Sequence, residues 1–440
     1  MRLHSFPTRR SSDLWIRDST PARRAALEIL RAVRAGAPLG EARDGVLSDL
    51  AERDRRLAYE LSAGVLRRQA ELDRALGLSH ADPRIHDVLR LGAYQLRCLT
   101  RVPRHAAVST SVELARETAG EGPARFVNQA LRKIAGDGGR GTRDGDIATH
   151  PRWLIERWRA RFGDEETTRL LVWNDARPTL TLQPARWDPK TLTHALEQAG
   201  LGVTDAPFGA GLRITRSHSS PVPRPSSLPG FTEGGFVVQD PAHALVARFA
   251  AIPTGATVYD ACAAPGGKAV ALERMGARVV AGDARPDRLP RLTDTARRAG
   301  VAIRCLAADL EAAPFRAAGL DAVLVDAPCS ATGTMARHPD ARWRLTPELF
   351  TRAAARQARL LDAAAPLVRG GGVLIYATCS LEAEENGAVV DGFLSRHADF
   401  ARAPEAGAVP AALVTAAGDF ASLPQRHGID GAYAARLVRH

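Results

Sequence analysis

The chain of 440 residues is long enough for two or three domains, and 45% hydrophobic and 25% charged residues are ordinary for a soluble globular protein. Without an apolar run near the roughly 20 residues that span a bilayer, a signal peptide, a disulfide framework or a CxxC pattern, we expect a cytoplasmic protein with no membrane partner and no metal. The net charge of +11 favours a nucleic-acid partner, although an inert basic surface stays open on charge alone.

Residues 1–18 differ in character from the rest of the chain. Within them, residues 5–14 read SFPTRRSSDL, which back-translates to a sequence resembling a sequencing adapter. We interpret residues 1–18 as an assembly artefact, and the alternative is a disordered arginine-rich tail.

A compact helical bundle is predicted over residues 19–136. Ser19-Thr20-Pro21 is typical of a helix start, because Ser and Thr cap helices and Pro suits the first turn. Short polar or Pro/Gly joints separate the segments that follow, which is typical of a bundle. Further amphipathic segments lie at residues 55–67, 85–99, 106–118 and 124–134. Residues 137–149, which are rich in glycine, are predicted to be a linker.

Residues 150–230 are predicted to form a small α+β module. Its first helix runs from His150 to Phe162 and carries arginines beside Trp153 and Trp158. An RNA-facing helix is one interpretation, but we favour a packed Trp and Leu face with solvated arginines. Short strands, a helix near residues 192–199 and a Pro/Ser-rich loop complete the module.

Strands alternate with helices over residues 231–440, which predicts a doubly wound α/β domain. The first strand, residues 257–261, runs into Cys262-Ala263-Ala264-Pro265-Gly266-Gly267-Lys268 and a helix at residues 269–275. Glycines at such a turn let the backbone approach a ligand closely. The turn is neither a P-loop nor a GxGxxG fingerprint, so a purely structural tight turn remains the alternative.

Acidic side chains end the next two strands at the same edge. Asp283 ends the strand at residues 278–283 and can accept both ribose hydroxyls, in nicotinamide and S-adenosylmethionine sites alike. Capping of a helix near Pro286 is an equal alternative for Asp283. Asp309 follows the strand at residues 303–307 and is placed to meet an adenine amino group.

Two cysteines follow the fourth and fifth strands, and a last strand is predicted at residues 433–438. In a doubly wound sheet these two strands are neighbours, about 4.8 Å apart, so Cys329 and Cys379 should face one cleft with the Pro265-Gly266-Gly267 turn. Two thiols beside a nucleoside-binding turn suggest covalent catalysis on an electrophile. Two structural thiols and a redox pair are the weaker alternatives, since Asp326 disfavours the thiolate that a redox pair needs.

Four phrases together resemble a known family: CAAPGGK at 262–268, VDAPCSATG at 325–333, RHPD at 337–340 with Trp343, and YATCSLEAEEN at 376–386. They are similar to those of RNA cytosine-C5 methyltransferases, specifically the bacterial Sun/RsmB family that acts on 16S ribosomal RNA. The resemblance implies a NusB-like RNA-binding bundle, a small α+β module and a Rossmann-like methyltransferase domain. It also implies S-adenosylmethionine as cofactor and 16S ribosomal RNA as partner of a monomer.

The resemblance also implies the roles of the site residues. Cys379 attacks carbon 6 of the cytosine, Cys329 promotes release of the product, and Asp326 hydrogen-bonds the base at N3 and supplies a proton. Proximity to Asp326 alone would favour Cys329 as the nucleophile. Lys268, one of three lysines in the chain, lines the cofactor and base pocket. The cofactor-binding residues implied are Cys262, Ala263, Ala264, Pro265, Gly266, Gly267, Lys268, Asp283, Arg288, Asp309 and Asp326.

Three other functions remain open. A transfer-RNA cytosine-C5 methyltransferase would use the same chemistry, and a non-catalytic NusB-like RNA-binding factor would not use it. A nicotinamide oxidoreductase is disfavoured because GxGxxG is missing. For Glu384-Glu385-Asn386, a helix cap or a packing role is at least as plausible as catalysis.

Overall fold

The structure is a computed structural model that describes residues 11–78, 81–136, 149–215 and 224–440. The chain divides into two compact units. The first comprises Met1–Ala176 and His338–Arg344, and the second comprises Arg177–Arg337 and Leu345–His440. Within the described ranges, no helix combines the length and the apolar character that a membrane span needs.

The described residues form helices throughout the chain. In chain order they are α1 Ser11–Arg34, α2 Leu39–Leu47, α3 Glu52–Leu76, α4 His86–Cys98, α5 Arg104–Ala119, α6 Glu121–Gly136, α7 Arg152–Phe162, α8 Asp164–Asp175, α9 Pro189–Gln198, α10 Pro241–Phe249, α11 Gly267–Arg274, α12 Leu289–Ala299, α13 Ala341–Arg344, α14 Pro347–Ala364, α15 Gly387–Arg396 and α16 Pro424–His427.

Strands occur only after residue 176 in the described ranges. They are β1 Leu180–Pro184, β2 Gly202–Asp205, β3 Leu212–Thr215, β4 Phe236–Val238, β5 Thr257–Asp260, β6 Arg278–Asp283, β7 Arg304–Ala307, β8 Leu320–Asp326, β9 Val368–Thr378, β10 Phe400–Arg402, β11 Phe420–Ser422 and β12 Ala432–Arg439.

The first unit is a helical bundle, as predicted. The four amphipathic segments correspond to α3, α4, α5 and α6, whose apolar faces form one core with α1. The predicted helix start at Ser19 is wrong, because α1 already begins at Ser11 and contains Pro21. An interior proline costs a helix one backbone hydrogen bond, but its fixed φ is helical, so it does not have to mark the start of the helix. Residues 1–10 and the linker at 137–148 lie outside the described residues.

Helix α7 packs through its apolar face. Trp158 and Leu154 are fully buried, whereas Arg159 and Arg161 are exposed, which confirms the packing interpretation of this helix. The sequence did not predict α8, which follows α7 after Gly163.

The short segment His338–Arg344 folds with the first unit. The Trp343 indole Nε1 donates to the carbonyl of Leu66 at 2.7 Å, and the backbone N–H of Leu39 donates to Asp340 Oδ2 at 3.2 Å. Arg342 is fully buried and lies 2.7 Å from the carboxylate of Asp175. Much of the phrase that contains RHPD and Trp343 is therefore part of the helical unit.

The second unit contains two sheets. The smaller one is antiparallel in the order β2-β3-β1-β4. Its strand β4 lies beyond residue 230, where the small module was predicted to end. The larger sheet has the order β10-β12-β9-β8-β5-β6-β7, with β11 on β12. Five of its strands are parallel, and the order reverses beside β5, which confirms the doubly wound prediction.

The register of the two central strands positions the site. In the parallel pair β8 and β9, Asp326 lies opposite Ala377. The residues that follow both strands therefore emerge together at the carboxyl edge of the sheet, beside the turn that follows β5.

Candidate active site

The turn between β5 and α11 has the close packing expected of a ligand-binding turn. Gly266 has φ +106°, and a Cβ atom there would lie 2.7 Å from Leu292 Cδ1. A side chain would thus be both strained and crowded at this position. The backbone N–H of Ala264 donates to Asp283 Oδ2 at 3.3 Å, so the acid at the end of β6 also braces the turn.

The predicted cofactor residues beyond the turn differ in environment. Asp283 is buried, and its Oδ1 accepts from the N–H of Arg285 at 2.9 Å. The capping alternative for Asp283 is wrong, because the 3-10 turn at Pro286–Arg288 has Arg285 as its N-cap and no side-chain cap hydrogen bond. Asp309 is exposed, and it caps a short 3-10 turn by accepting from the N–H of Glu311 at 3.1 Å. Arg288 is half-buried at the end of another 3-10 turn. Burial raises the pKa of the Cys262 thiol well above its ordinary value, which keeps the thiol protonated.

Asp260 is a functional candidate that the sequence reasoning missed. It ends β5 and is only 1% exposed, and neither carboxylate oxygen has a hydrogen-bond partner of normal geometry in the described residues. Burial, followed by the charge of Asp326, raises its pKa to about 7. The sequence did contain a signal for Asp260, because an acidic residue at the end of a strand that precedes a glycine-rich turn lies at the ligand-binding edge of the sheet.

Lys268 and Asp326 form an ion pair beside Asp260. The Lys268 ammonium lies 2.6 Å from Asp326 Oδ2 and 3.2 Å from Nδ1 of His243. Burial alone would lower the pKa of Lys268, but the adjacent Asp326 carboxylate raises it, so the ammonium stays charged. The structure therefore brings two predicted catalytic residues into contact and adds His243, which the sequence reasoning did not single out.

The two predicted catalytic thiols are in contact. Cys329 Sγ and Cys379 Sγ are 3.2 Å apart, a hydrogen-bond distance, and both cysteines are free. The hydrogen bond to Cys379 is the largest cause that raises the pKa of Cys329 well above its ordinary value, and burial adds to it. Cys329 thus stays protonated and can donate its S–H to a thiolate at Cys379.

A buried polar network lies behind both cysteines. Ser330 and Ser380, which follow the two cysteines, have their Oγ atoms 3.1 Å apart. Glu385 is fully buried; its Oε1 accepts from Ser380 Oγ at 2.7 Å, and its Oε2 accepts from the N–H of Ser330 at 2.9 Å. A packing role, one of the interpretations given to Glu385 from the sequence, is thus what the contacts show.

The loop that carries Cys329 is also held against the C-terminal strand. The N–H of Gly431 donates to the carbonyl of Gly333 at 2.8 Å, and the N–H of Gly333 donates to the carbonyl of Cys379 at 2.9 Å. Farther along this loop, Arg337 makes ion pairs of 2.6 Å with both Asp240 and Asp430. These contacts hold the loop in place from Cys329 to Arg337, where this segment of the second unit ends.

The residues at this edge fit S-adenosylmethionine. The donor carries positive charge, and the buried carboxylate of Asp260 supplies a negative group where the glycine turn allows close approach. Asp283, on the neighbouring strand, is the predicted acceptor for ribose hydroxyls.

Sequence models of three families match successive parts of the chain. A NusB family model matches residues 20–136, and a model described as the ferredoxin-like domain of RsmF/B-like methyltransferases matches residues 150–220. A model described as 16S rRNA methyltransferase RsmB/F matches residues 250–438.

Curated relatives are similar over most of the chain. A probable ribosomal RNA small subunit methyltransferase B from Synechocystis is 36% identical, covering 80% of this chain and 83% of the relative. Ribosomal RNA small subunit methyltransferase B of Escherichia coli O157:H7 is 32% identical, covering 85% and 90%. A putative methyltransferase, Rv1407, of Mycobacterium tuberculosis is 35% identical, covering 95% and 96%.

Solved structures show the same fold. The crystal structure of PH0851 superposes with a TM-score of 0.79 over 100% of both chains, at 24% identity. The structure of NSun6 from Pyrococcus horikoshii with SFG has a TM-score of 0.57, covering 66% of this chain and 98% of that one, at 18% identity.

Proposed function

The chain belongs to the 16S rRNA methyltransferase RsmB/F family, and from this premise we propose that it methylates carbon 5 of a cytosine in 16S ribosomal RNA through a covalent adduct with Cys379. It is an S-adenosylmethionine-dependent methyltransferase with a NusB-like helical domain. The observation that carries the proposal is the contact of two free thiols beside the Lys268–Asp326 ion pair, at the edge of the sheet that holds the glycine turn. A ribosomal RNA substrate also supports a cytoplasmic location.

Covalent attack addresses the weak nucleophilicity of cytosine at carbon 5. Addition of the Cys379 thiolate to carbon 6 breaks the C5–C6 double bond and makes carbon 5 an enamine carbon. S-adenosylmethionine, when bound, supplies an electrophilic methyl group. Asp326 steadies the base at its N3 edge and supplies the proton that N3 takes up. The Lys268 ammonium, 2.6 Å from Asp326, is the nearby group from which Asp326 receives that proton.

Release of the product needs the adduct to be reversed. A base removes the proton on carbon 5, the C5–C6 double bond forms again, the electron pair of the C6–S bond returns to the Cys379 sulfur, and N3 gives the proton it took up back to Asp326. Cys329, at 3.2 Å, is placed to donate its proton to the departing thiolate. The raised pKa of Cys329 supports this division of roles, because a protonated Cys329 is a donor and not a competing nucleophile.

The proposal is tested with labelled S-adenosylmethionine and deproteinised small-subunit RNA, in which the target cytosine can leave its stack. Cys379→Ala should abolish methyl transfer, whereas Cys329→Ala should accumulate a protein–RNA adduct that survives denaturing electrophoresis. Cys98→Ala, on α4 in the first unit, is the matched control and should behave as the wild type.

Exchange of the two phenotypes would overturn the assignment of the nucleophile. Transfer RNA methylated in place of ribosomal RNA would support the alternative substrate. RNA binding without any transfer would support a non-catalytic factor.

A further inference from the structure

Glu385 connects the two loops that carry the catalytic thiols. Its carboxylate accepts hydrogen bonds from the residue that directly follows each cysteine: from the backbone N–H of Ser330 and from the hydroxyl of Ser380. The two serine hydroxyls lie 3.1 Å apart, so the connection closes a ring of contacts. The distance between the two thiols therefore depends on Glu385, which is hydrogen-bonded to both cysteine loops.

A third donor extends this connection to the start of the first loop. The side-chain amide of Gln357, on α14, donates to Glu385 Oε2 at 3.0 Å and to the carbonyl of Pro328 at 3.0 Å. Gln357 is fully buried, as is Glu385. The carboxylate thus holds the backbone on both sides of Cys329.

Glu385 also places a negative charge in the protein interior. The three donors to its carboxylate are neutral groups, namely a backbone amide, a serine hydroxyl and a glutamine amide. Charge that is not neutralised in a buried site acts on its neighbours with little screening. Cys329 is such a neighbour, since its pKa is raised by the hydrogen bond to Cys379, by burial and, to a smaller extent, by the charge of Glu385.

Tyr376 and Lys268 are further titratable groups near the two thiols. The Tyr376 hydroxyl donates to the backbone carbonyl of Glu385 at 2.6 Å, and burial raises the pKa of Tyr376 well above its ordinary value, so it stays neutral. The Lys268 ammonium interacts electrostatically with Cys379. A positive charge thus acts on Cys379, and a negative one acts on Cys329.

We propose that Glu385 is a positioning residue for the reaction, which ties the two cysteine loops together through Ser330 and Ser380 and places a buried carboxylate on the residue next to Cys329. This inference rests on the proposed function for its catalytic meaning. Its positional part, the tie between the two loops, and its electrostatic part, the carboxylate next to Cys329, both concern the protein without RNA. Geometry and charge can therefore be tested without methyl transfer.

Glu385→Gln separates the charge from the geometry. An amide oxygen in place of Oε2 can still accept from Ser330 and Gln357. An amide N–H₂ in place of Oε1 can donate to Ser380, whose hydroxyl can then donate to Ser330. The contacts survive while the negative charge is lost. Glu384→Gln, which removes an exposed carboxylate from the same turn, is the matched control.

The charge is measured by alkylation of the RNA-free protein with iodoacetamide across pH, with each cysteine followed by peptide mass spectrometry. In Glu385→Gln the midpoint for Cys329 should move measurably to lower pH, because a nearby like charge has been removed. Glu384→Gln should keep the wild-type midpoint. An unchanged midpoint in Glu385→Gln, or an equal shift in Glu384→Gln, would refute the electrostatic part.

The geometry is measured by cross-linking of Cys329 to Cys379 with dibromobimane, a short dithiol reagent. Ser380→Ala keeps the carboxylate but removes the hydroxyl that joins it to Ser330, so the yield should fall several-fold. Glu385→Gln should give at least the wild-type yield, because its contacts persist and its Cys329 ionises more readily. An undiminished yield in Ser380→Ala would overturn the positional part, and this variant also serves if Glu385→Gln does not fold.

The two hypotheses fail in different ways. A wild-type protein that does not methylate RNA but shows both the shift and the loss of cross-linking would retain Glu385 as a positioning residue and reject the proposed reaction. A protein that methylates RNA with neither effect would reject the role of Glu385 alone.

Discussion

Replacement of Asp260 by Asn should change how stability depends on pH. The buried Asp260 carboxyl has its pKa raised from 3.8 to about 7. Between these values the folded protein holds a proton that the unfolded chain has released, so the free energy of unfolding falls as pH rises. About three pKa units at 1.36 kcal/mol each give a total loss of about 4 kcal/mol above pH 7, as an upper bound. Asn stays neutral and does not suffer this loss.

The comparison is made by urea unfolding of the wild type and Asp260→Asn at pH 5 and pH 8. From pH 5 to pH 8 the variant should gain about 3 kcal/mol relative to the wild type, since about two of the three units lie in this range. Asp430, whose pKa is also raised to about 7, titrates in both proteins and cancels in the difference.

The control is Asp287→Asn. Hydrogen bonds from Arg285 lower the pKa of this exposed carboxyl, so it titrates below pH 5 and should show no such gain. A stability difference between Asp260→Asn and the wild type that is the same at pH 5 and pH 8 would refute the reasoning.

The same titration should govern binding of the methyl donor. S-adenosylmethionine is cationic, so the wild type should bind it more tightly as pH rises from 6 to 8 and Asp260 becomes charged. Asp260→Asn should bind it more weakly at pH 8 and without this pH dependence. Isothermal titration calorimetry at the two pH values measures both effects.

Two further substitutions test the catalytic edge. Lys268→Met removes the ammonium 2.6 Å from Asp326, so single-turnover methyl transfer should fall by about 100-fold, a typical effect of losing a proton donor; transfer at the wild-type rate would contradict this role. Gly333→Ala places a Cβ atom 2.4 Å from the backbone oxygen of Gly431, so the free energy of unfolding in urea should drop by about 1–3 kcal/mol. Gly370→Ala, where no atom lies within 4 Å, is its control and should cost less, and equal losses would show that the close contact is not what matters.

Periodicity and sheet rules predicted much of the second unit. Strand β6 has the predicted bounds, and the expectation that Cys329 and Cys379 meet follows from the order of a doubly wound sheet, since β8 and β9 are parallel neighbours. These features depend on the local hydrophobic pattern and on the strand order, and the rules for connecting strands allow only a few strand orders. The short helix α2 was missed because only two of its residues are buried, which leaves little periodic signal.

Interactions between distant residues could not be predicted. Arg337 pairs with Asp240 and Asp430, which lie about a hundred residues away on either side, and a single sequence gives no signal for such pairs. Asp260 was missed for a different reason. Its importance comes from deep burial beside Asp326, without a hydrogen-bond partner of normal geometry among the described residues, and this is a property of the packed structure.

The first unit takes its last seven residues from far along the chain. During synthesis on the ribosome, residues up to Ala176 emerge long before His338–Arg344. The Asp175 carboxylate and the carbonyl of Leu66 therefore form their contacts with Arg342 and Trp343 late in synthesis. The unit cannot reach its final packing until most of the polypeptide has been made. A fragment that ends at Ala176 would leave the Asp175 carboxylate without Arg342 and the carbonyl of Leu66 without Trp343. Addition of a peptide with the sequence of residues 338–344 to such a fragment would therefore restore native contacts by intermolecular complementation.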